Sequence, residues 1–209
     1  MIKRIIFDLD NTLIPWDKKW DLHMKTSLEE VGIKITEEEF KTIKLALNQY
    51  EKKYSIYQKG TMLLHFEETL HKKIPNQFMD IWIEKLKNCY VIDNKKEELL
   101  EYLSQKYELV VLTNWFTQQQ TVRLERSHLL KYFKEVIGTD QVFNKPNKES
   151  FKRAMYPYKK EECIMIGDDL NTDIKGAIDV GMDYLFLNLK NEPTKYKSIN
   201  RLEELKEML

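Results

Sequence analysis

The chain has 209 residues, of which 42% are hydrophobic and 33% are charged, as expected of a soluble globular protein with one core or a core and a small second domain. Lysine plus arginine and aspartate plus glutamate both number 34, so no global field favours a nucleic-acid polymer or an anionic membrane. The two cysteines are far apart in the sequence, so no disulfide framework is implied. No apolar run approaches the ~20 residues that a membrane span needs, and no signal-peptide pattern is visible before the first strand. We therefore expect a cytoplasmic protein.

The first part of the chain reads as one strand followed by a helical segment. Residues 3–8 form an apolar run suited to a buried strand, after which the sequence becomes charged, aromatic and helical in period. Thr36 opens a capping box with the glutamate three residues later, Gly60 interrupts the pattern, and Asn76 can cap the next helix. We interpret residues 15–90 as an all-helical insert. The predicted helices cover residues 16–31, 36–54, 61–73 and 76–88.

The rest of the chain alternates between strand and helix patterns. Thr117 and Gln120 have the spacing of a second capping box, and Asn147 can cap a later helix. Such alternation is typical of βαβ units, so we predict an α/β fold in which residues 1–14 and 91–209 form a parallel sheet with its helices. The predicted strands cover residues 108–112, 135–137, 162–166 and 184–187, and the predicted helices cover 94–107, 117–128, 147–156, 172–180 and 198–208, with a surface loop over 188–197.

Three of the predicted strands run directly into polar side chains. Asp8 and Asp10 end the first strand, and Thr113 and Asn114 follow the strand at 108–112. The strand at 162–166 continues into Gly-Asp-Asp. Burying an unpaired charge is expensive, and ligands of open α/β sheets bind beyond the carboxyl ends of the strands. These polar groups therefore predict one shared site.

The aspartates in this set favour acid–base chemistry with a hard cation. An ionised Asp8 can be a nucleophile or a metal ligand, and Asp10 can be a general acid or base. A cation near Asp8 would help to keep the two carboxyl groups in different protonation states. Asp168, Asp169 and Asp173 add oxygen ligands of the kind that Mg²⁺ prefers. The absence of cysteine and histidine from this set argues against zinc, and the four scattered histidines favour structural or surface roles.

The remaining polar groups are suited to binding a phosphate. Thr113 and Asn114 offer a hydroxyl, an amide and backbone N–H groups to phosphate oxygens. Lys145, directly before Pro146, can neutralise charge on a phosphoryl group. A cation, a lysine and N–H donors together form the electrostatic clamp that phosphoryl transfer needs.

Four short segments resemble the four motifs of the haloacid dehalogenase superfamily, in that family's order and over the whole predicted core. This resemblance implies a Rossmann-like doubly wound parallel sheet, Mg²⁺ as cofactor and an aspartyl-phosphate intermediate. It also implies that the helical insert is the family's cap, which closes over the substrate. The segments are Asp8-Leu9-Asp10-Asn11-Thr12, Thr113-Asn114, Lys145-Pro146 and Gly167-Asp168-Asp169-Leu170-Asn171-Thr172-Asp173.

The same resemblance implies a role for each matching residue. Asp8 would be the nucleophile, and Asp10 the acid and base, with its backbone carbonyl on the metal. Thr113 and Lys145 would hold the phosphate. The metal would also be bound by Asp168 and by Asp173, directly or through water, whereas Asp169 lies where the family is variable.

A finer resemblance concerns the segment from Thr113 to Leu124, together with Tyr132-Phe133 and residues 145–148. It is similar to a branch that contains pyrimidine 5′-nucleotidases, although that branch normally has glycine where this chain has Trp115. Trp115 could narrow the pocket mouth or stack on a base, and Trp16 could face the site because it closely follows the Asp8 loop. Aromatic residues at helical spacing are, however, more often part of a core.

These patterns lead to one preferred function and several alternatives. We expect a magnesium-dependent phosphatase of a small phosphorylated metabolite, with a nucleoside monophosphate as the favoured substrate. Phosphoglycolate or a sugar phosphate is the alternative substrate class. A non-catalytic binding protein on the same scaffold would be expected to lose a carboxylate or the lysine, and a dehalogenase would have no acid at position 10. We expect a monomer or a weak homodimer.

Overall fold

The chain forms an α/β unit and a helical unit. The computed structural model describes residues 1–16 and 19–209, in which Met1–Pro15 with Tyr90–Leu209 form the first unit and Trp16–Cys89 the second. The α-helices of the helical unit are α1 Lys19–Glu30, α2 Glu37–Lys53, α3 Lys59–Leu70 and α4 Gln77–Leu86. Those of the α/β unit are α5 Asn94–Ser104, α6 Thr117–Arg126, α7 Lys148–Met155, α8 Lys175–Val180 and α9 Leu205–Met208.

A parallel sheet is the framework of the α/β unit. Its order is β3-β2-β1-β4-β5-β6, and every pairing between neighbours is parallel. The α/β sheet predicted from the alternating pattern is therefore confirmed. Across the described residues its strands are β1 Arg4–Phe7, β2 Glu108–Leu112, β3 Glu135–Ile137, β4 Cys163–Gly167, β5 Asp183–Leu187 and β6 Ser198–Ile199.

Both faces of this sheet are buried, which explains why its strands are almost continuously apolar. Along β1, Ile5 and Phe7 belong to one apolar cluster and Ile6 to the other. The first cluster includes leucines of α5, α6 and α9, and the second includes Phe151 of α7 and Ala177 of α8. Helices thus cover the sheet on both sides, as in a doubly wound fold.

Aromatic side chains are part of the core of the helical unit. Phe66, Phe78 and Trp82 are buried, and the rings of Phe78 and Trp82 stack with centroids 5.7 Å apart. The predicted capping box at Thr36 is present, because Glu39 N donates to the threonine hydroxyl while the Glu39 carboxylate accepts from Thr36 N. Trp16 is 48% exposed and stacks on the buried Trp20 at 4.1 Å between centroids.

Some predicted boundaries in this unit are wrong. Gly60 does not interrupt a helix but lies in the first turn of α3, where an added Cβ would meet no atom within 4 Å. Asn76 stands before α4 without donating or accepting a side-chain cap bond. Residues 17 and 18, at the start of the predicted first helix, lie outside the described residues.

The predicted capping box at the start of α6 is also wrong. Phe116 is the residue before the helix, and it makes no side-chain cap bond. The Thr117 hydroxyl instead accepts from Gly138 N at 3.0 Å and donates to Asp140 at 2.6 Å. The Gln120 side-chain amide instead donates to Thr113 Oγ1 at 2.9 Å and to Asp10 Oδ2 at 2.9 Å. Tertiary contacts have therefore engaged both side chains that the local pattern assigned to the cap.

Two further elements differ from the sequence-based prediction. The first three residues of the helix predicted at 172–180 belong instead to a π-helical turn, Leu170–Ile174, and α8 begins only at Lys175. The helix predicted at 198–208 is instead the two-residue strand β6, a 3₁₀ turn at Leu202–Glu204, and α9. Pairing of Ile199 with Leu187 at the sheet edge fixes β6, and a strand so short has no readable period.

In the described part of the chain, none of the helices combines the length and the apolar character that crossing a membrane requires.

We predict that Gly176→Ala destabilises the protein by about 1–3 kcal/mol. A Cβ added at Gly176 would lie 2.1 Å from the buried Phe151 ring, so that α7 and α8 would have to separate. Urea unfolding followed by circular dichroism measures the change. The matched control is Gly60→Ala, which has open space in α3 and should be neutral or stabilising by up to ~1 kcal/mol. Equal losses for the two variants would contradict this packing argument.

Candidate active site

The loop after β1 begins the site. Asp8 N donates to Ile166 O at 2.9 Å, which continues the pairing of β1 with β4 by one residue. The chain then turns sharply, since the N–H groups of Leu13 and Ile14 both donate to Leu9 O. Asn11 accommodates this turn with a left-handed backbone, φ +59°, which asparagine tolerates better than most residues. The turn places Asp8 and Asp10 at the carboxyl edge of the sheet.

A buried lysine joins two carboxylates at this edge. Lys145 Nζ donates to Asp8 Oδ1 at 2.5 Å and to Asp173 Oδ1 at 2.6 Å. All three side chains are buried. Asn114 fixes the backbone of this lysine, because its amide oxygen accepts from Lys145 N at 2.7 Å and its amide nitrogen donates to Lys145 O at 3.2 Å.

A third carboxylate completes an acidic cluster. Oxygen atoms of Asp8, Asp168 and Asp173 all lie within 4.8 Å of one another, a spacing that could hold a metal ion. The Thr12 hydroxyl approaches Asp168 Oδ1 at 3.4 Å. The side chain of Asp10 is not part of this cluster but turns toward α6.

This cluster has more negative than positive charge. Burial raises the pKa of Asp8 to about 7, and the neighbouring Asp173 adds to the shift while Lys145 opposes it. Burial, with the charge of Asp8, raises the pKa of Asp168 to about 6, and burial also raises the pKa of Asp173. Burial alone would lower the pKa of Lys145, but Asp173 and Asp8 outweigh it and the net change is upward. One ammonium group does not neutralise three carboxylates, so the donor set suits a divalent cation.

Asp173 owes its position to the π-helical turn and to Gly167. The Asp169 carboxylate accepts from the N–H groups of Asn171 and Thr172, at 2.6 and 3.0 Å, and so caps the turn. Asp173 Oδ2 accepts from Asp169 N at 3.2 Å. A Cβ on Gly167 would lie 2.2 Å from that same oxygen. Only glycine therefore lets the Asp173 carboxylate pass this close to the end of β4, and the exposed Asp169 shapes the turn.

A separate polar network surrounds Asp10. Arg123 Nη1 donates to Asp10 Oδ1 at 2.7 Å, and Gln120 Nε2 donates to Asp10 Oδ2 at 2.9 Å. Gln120 Nε2 also donates to Thr113 Oγ1 at 2.9 Å, and its amide oxygen accepts from Arg123 Nη1 at 2.7 Å. Because the Thr113 oxygen accepts here, its hydroxyl hydrogen can be donated to a further acceptor.

The contacts of Gln120 and Arg123 with Asp10 were not predicted from the sequence. Their helix has a readable signal, since positions 116, 120, 123, 124 and 127 follow the spacing of a buried helix face. Three of these five positions carry Gln, Arg and Ser instead of apolar side chains. Polar residues on the buried face of a helix that follows a site strand indicate contacts within the site.

Trp115 and Trp16 were also predicted from the sequence as candidate substrate-binding residues. Trp115 is only 3% exposed and packs edge-to-face against Phe116, with ring centroids 5.4 Å apart. Trp16 belongs to the helical unit, so its part in the site stays a prediction. Beside the acidic cluster, the α/β unit has a cavity of about 540 Å³ whose lining includes Asn11, Asp168 and Lys190. Its size is sufficient for a small metabolite.

Most of the chain matches a known protein family. Residues 5–187 match the model of the haloacid dehalogenase-like hydrolases. A glyceraldehyde 3-phosphate phosphatase of Methanothermobacter thermautotrophicus is 28% identical over 90% of this chain and 86% of its own. The pyrimidine 5′-nucleotidase PynA of Streptococcus pneumoniae is 26% identical over 89% of this chain and 84% of its own.

A solved structure has the same fold. The HAD-hydrolase YfnB of Bacillus subtilis, determined bound to magnesium, superposes with a TM-score of 0.78 at 24% identity, covering 100% of this chain and 98% of that one. The family match spans β1 to β5, and with them the Asp8 loop, the lysine and the acidic turn. The resemblance inferred from the four motifs is confirmed, and the chain belongs to the haloacid dehalogenase-like hydrolases.

Proposed function

We propose that this hydrolase is a magnesium-dependent phosphatase of small phosphate monoesters that works through an aspartyl-phosphate intermediate. The observation that carries the proposal is the buried Lys145, held between the carboxylates of Asp8 and Asp173 beside Asp168. This arrangement combines a nucleophilic carboxylate, a fixed positive charge and oxygen ligands for a hard cation. Relatives named as phosphatases and as a nucleotidase support the same reaction class.

In the first step, Asp8 attacks the phosphorus of the monoester in line with the leaving oxygen. A bond forms between phosphorus and an Asp8 oxygen while the bond to the leaving oxygen breaks. Asp10 transfers its proton to that oxygen, so that the alcohol leaves neutral. Lys145 and the Thr113 hydroxyl bind the oxygens of the transferred phosphoryl group.

In the second step, a water molecule attacks the phosphorus of the aspartyl phosphate. Asp10, now ionised, accepts a proton from this water, and the bond between phosphorus and Asp8 breaks. Inorganic phosphate leaves, and Asp8 and Asp10 return to their starting states. The sum is one monoester plus one water giving one alcohol plus one phosphate.

The acidic cluster is suited to Mg²⁺. The side chains of Asp8, Asp168 and Asp173 and the backbone carbonyl of Asp10 would hold the ion. When bound, Mg²⁺ would supply positive charge that favours ionised carboxylates and neutralises phosphoryl oxygens. Asn114 and Asp169 support this site indirectly, by fixing the Lys145 backbone and the π-helical turn.

The substrate class has two candidates. The relatives named for glyceraldehyde 3-phosphate and for pyrimidine nucleotides are 28% and 26% identical, so similarity alone favours neither strongly. A nucleoside 5′-monophosphate stays our first hypothesis and a sugar phosphate or phosphoglycolate the second. Burial of Trp115 weighs against that ring as a base-stacking platform. That the helical unit acts as a cap that selects the substrate stays a prediction.

We expect phosphate release from at least one member of a panel of UMP, dUMP, dTMP, purine monophosphates, glyceraldehyde 3-phosphate, phosphoglycolate and sugar phosphates. Release should require Mg²⁺ and stop in EDTA. Asp8→Asn should reduce kcat by on the order of 10³-fold or more, because it removes the nucleophile. The matched control Asp179→Asn, on the exposed side of α8, should retain activity. Full activity of Asp8→Asn would refute the aspartyl-phosphate mechanism.

Mg²⁺ binding can be tested without turnover. Saturating Mg²⁺ should raise the melting temperature of the wild type, since a ligand at about 100 times its Kd stabilises the folded state by about 2.7 kcal/mol. Asp168→Asn removes one cluster carboxylate and should abolish most of this shift, whereas Asp179→Asn should retain it. Differential scanning calorimetry measures both. An unchanged shift in Asp168→Asn would place the ion elsewhere.

In EDTA, we predict that the wild type loses stability relative to Asp8→Asn as the pH rises from about 4 to about 7. The pKa of Asp8 is raised from 3.8 to about 7 by burial, so the folded state holds its proton more tightly than the unfolded state. Ionisation therefore destabilises the fold within this window, by on the order of 2–4 kcal/mol, and the difference levels off above it. Urea unfolding at a series of pH values measures the difference in unfolding free energy between the wild type and Asp8→Asn. A difference that grows in the opposite direction would contradict the charge balance described above.

A further inference from the structure

Helix α6 supplies a buried polar pair to Asp10. Arg123 is 0% exposed, yet its guanidinium ends 2.7 Å from Asp10 Oδ1. Gln120, one turn earlier and equally buried, donates from one nitrogen to Asp10 Oδ2 and to Thr113 Oγ1. The two α6 side chains are themselves joined, since Arg123 Nη1 also donates to Gln120 Oε1. The four groups form one network between the ends of β1 and β2.

The geometry leaves Asp10 available for chemistry. A carboxylate has about four lone-pair sites, and each Asp10 oxygen accepts one of the two bonds from α6. The Asp10 side chain is 19% exposed, whereas the Arg123 side chain is 0% exposed. The hydrogen bonds from α6 therefore hold the buried part of the Asp10 carboxylate, and lone pairs of its oxygens remain available on the exposed part.

A purely stabilising role explains this arrangement poorly. A buried ion pair is weak evidence for stability, because desolvation of the two charges offsets much of their attraction. Gln120 adds a feature that stability does not require, since it ties Asp10 to Thr113 through one nitrogen atom. The carboxylate that handles the proton and the hydroxyl that binds the phosphoryl group thus share a fixed spacing.

We propose that Arg123 and Gln120 are positioning residues, which hold the Asp10 carboxylate at a set distance and angle from the phosphoryl group so that its proton reaches the leaving oxygen. This inference rests on the proposed phosphatase function. A proton-transfer group must lie within hydrogen-bond reach of the atom that it serves, and small displacements cost rate steeply. Neither residue touches the substrate in this scheme.

The inference makes a prediction that depends on the leaving group. An alkoxide leaves poorly without a proton, whereas 4-nitrophenolate leaves readily without one, so misplacing Asp10 should harm only the first reaction strongly. The parameter to compare is kcat/KM, which includes every step up to departure of the leaving group. Damage to the nucleophile, the lysine or the fold would lower both reactions alike.

The experiment compares Arg123→Met, Gln120→Met and Arg123→Lys with the wild type in Mg²⁺. The alkyl substrate is the member of the panel that the wild type hydrolyses fastest, and the aryl substrate is 4-nitrophenyl phosphate. For Arg123→Met we expect kcat/KM to fall about 10²-fold with the alkyl substrate and to change little with the aryl substrate. Gln120→Met should change in the same direction by a smaller factor, and Arg123→Lys should recover part of the loss.

Controls separate positioning from general damage. Arg126→Met makes the same chemical change one turn along α6, at a half-buried position outside the network, and should alter neither reaction. Added to Asp10→Asn, Arg123→Met should not change the ratio of the two reactions further. Calorimetry checks that each variant is folded, and if Arg123→Met is not, Gln120→Met decides by the same ratio.

Equal losses on both substrates in a folded variant, or no loss on either, would overturn the inference. Failure of the proposed function would be visible earlier and separately. In that case the wild type would release no phosphate from any member of the substrate panel, or Asp8→Asn would retain its activity.

Discussion

The structure of the site depends on a single buried ammonium group. Without Lys145, the carboxylates of Asp8 and Asp173 would face each other in a region where an uncompensated charge is strongly destabilising. Three neighbouring features position Lys145 and its two carboxylate partners. Asn114 fixes the lysine backbone, Gly167 leaves room for Asp173, and the pairing of β1 with β4 sets the position of Asp8. The remaining excess of negative charge is what makes the cluster receptive to a divalent cation.

Much of the α/β unit could be predicted because its strands are encoded locally. Runs such as Ile5-Ile6-Phe7 and Leu109-Val110-Val111 are apolar on both faces, and the polar groups that follow them mark the strand ends. Parallel strands present these ends along one edge, so the approach of Asp8, Lys145, Asp168 and Asp173 to one another was foreseeable. The family motifs, which include Lys145, strengthened that expectation. In the structure, carboxylate oxygens of Asp8, Asp168 and Asp173 lie within 4.8 Å of one another, and Lys145 donates to Asp8 and Asp173.

What could not be predicted depends on contacts between distant segments. Thr117 and Gln120 match the local pattern of a capping box, but Asp140 engages the threonine and Asp10 engages the glutamine. An arginine at position 123 would ordinarily be placed on a solvated helix face, and only the fold reveals the carboxylate that holds it inside. Strand β6 has two residues, too few for any period, and its existence follows from the edge that β5 offers.

The insertion of the helical unit after residue 15 has a consequence for how the chain acquires its site. Arg4 on β1 lies beside Glu108 on β2, 104 residues later, and beside Cys163 on β4. Contacts of such high sequence separation form slowly, whereas those of the helical unit lie within residues 16–89 and can form first. During synthesis, β1 is therefore made before β2 and β4, and it can pair with them only after both have been synthesised. Asp8, the proposed nucleophile, is among the first residues made, and the contacts that surround its carboxylate are among the last to form.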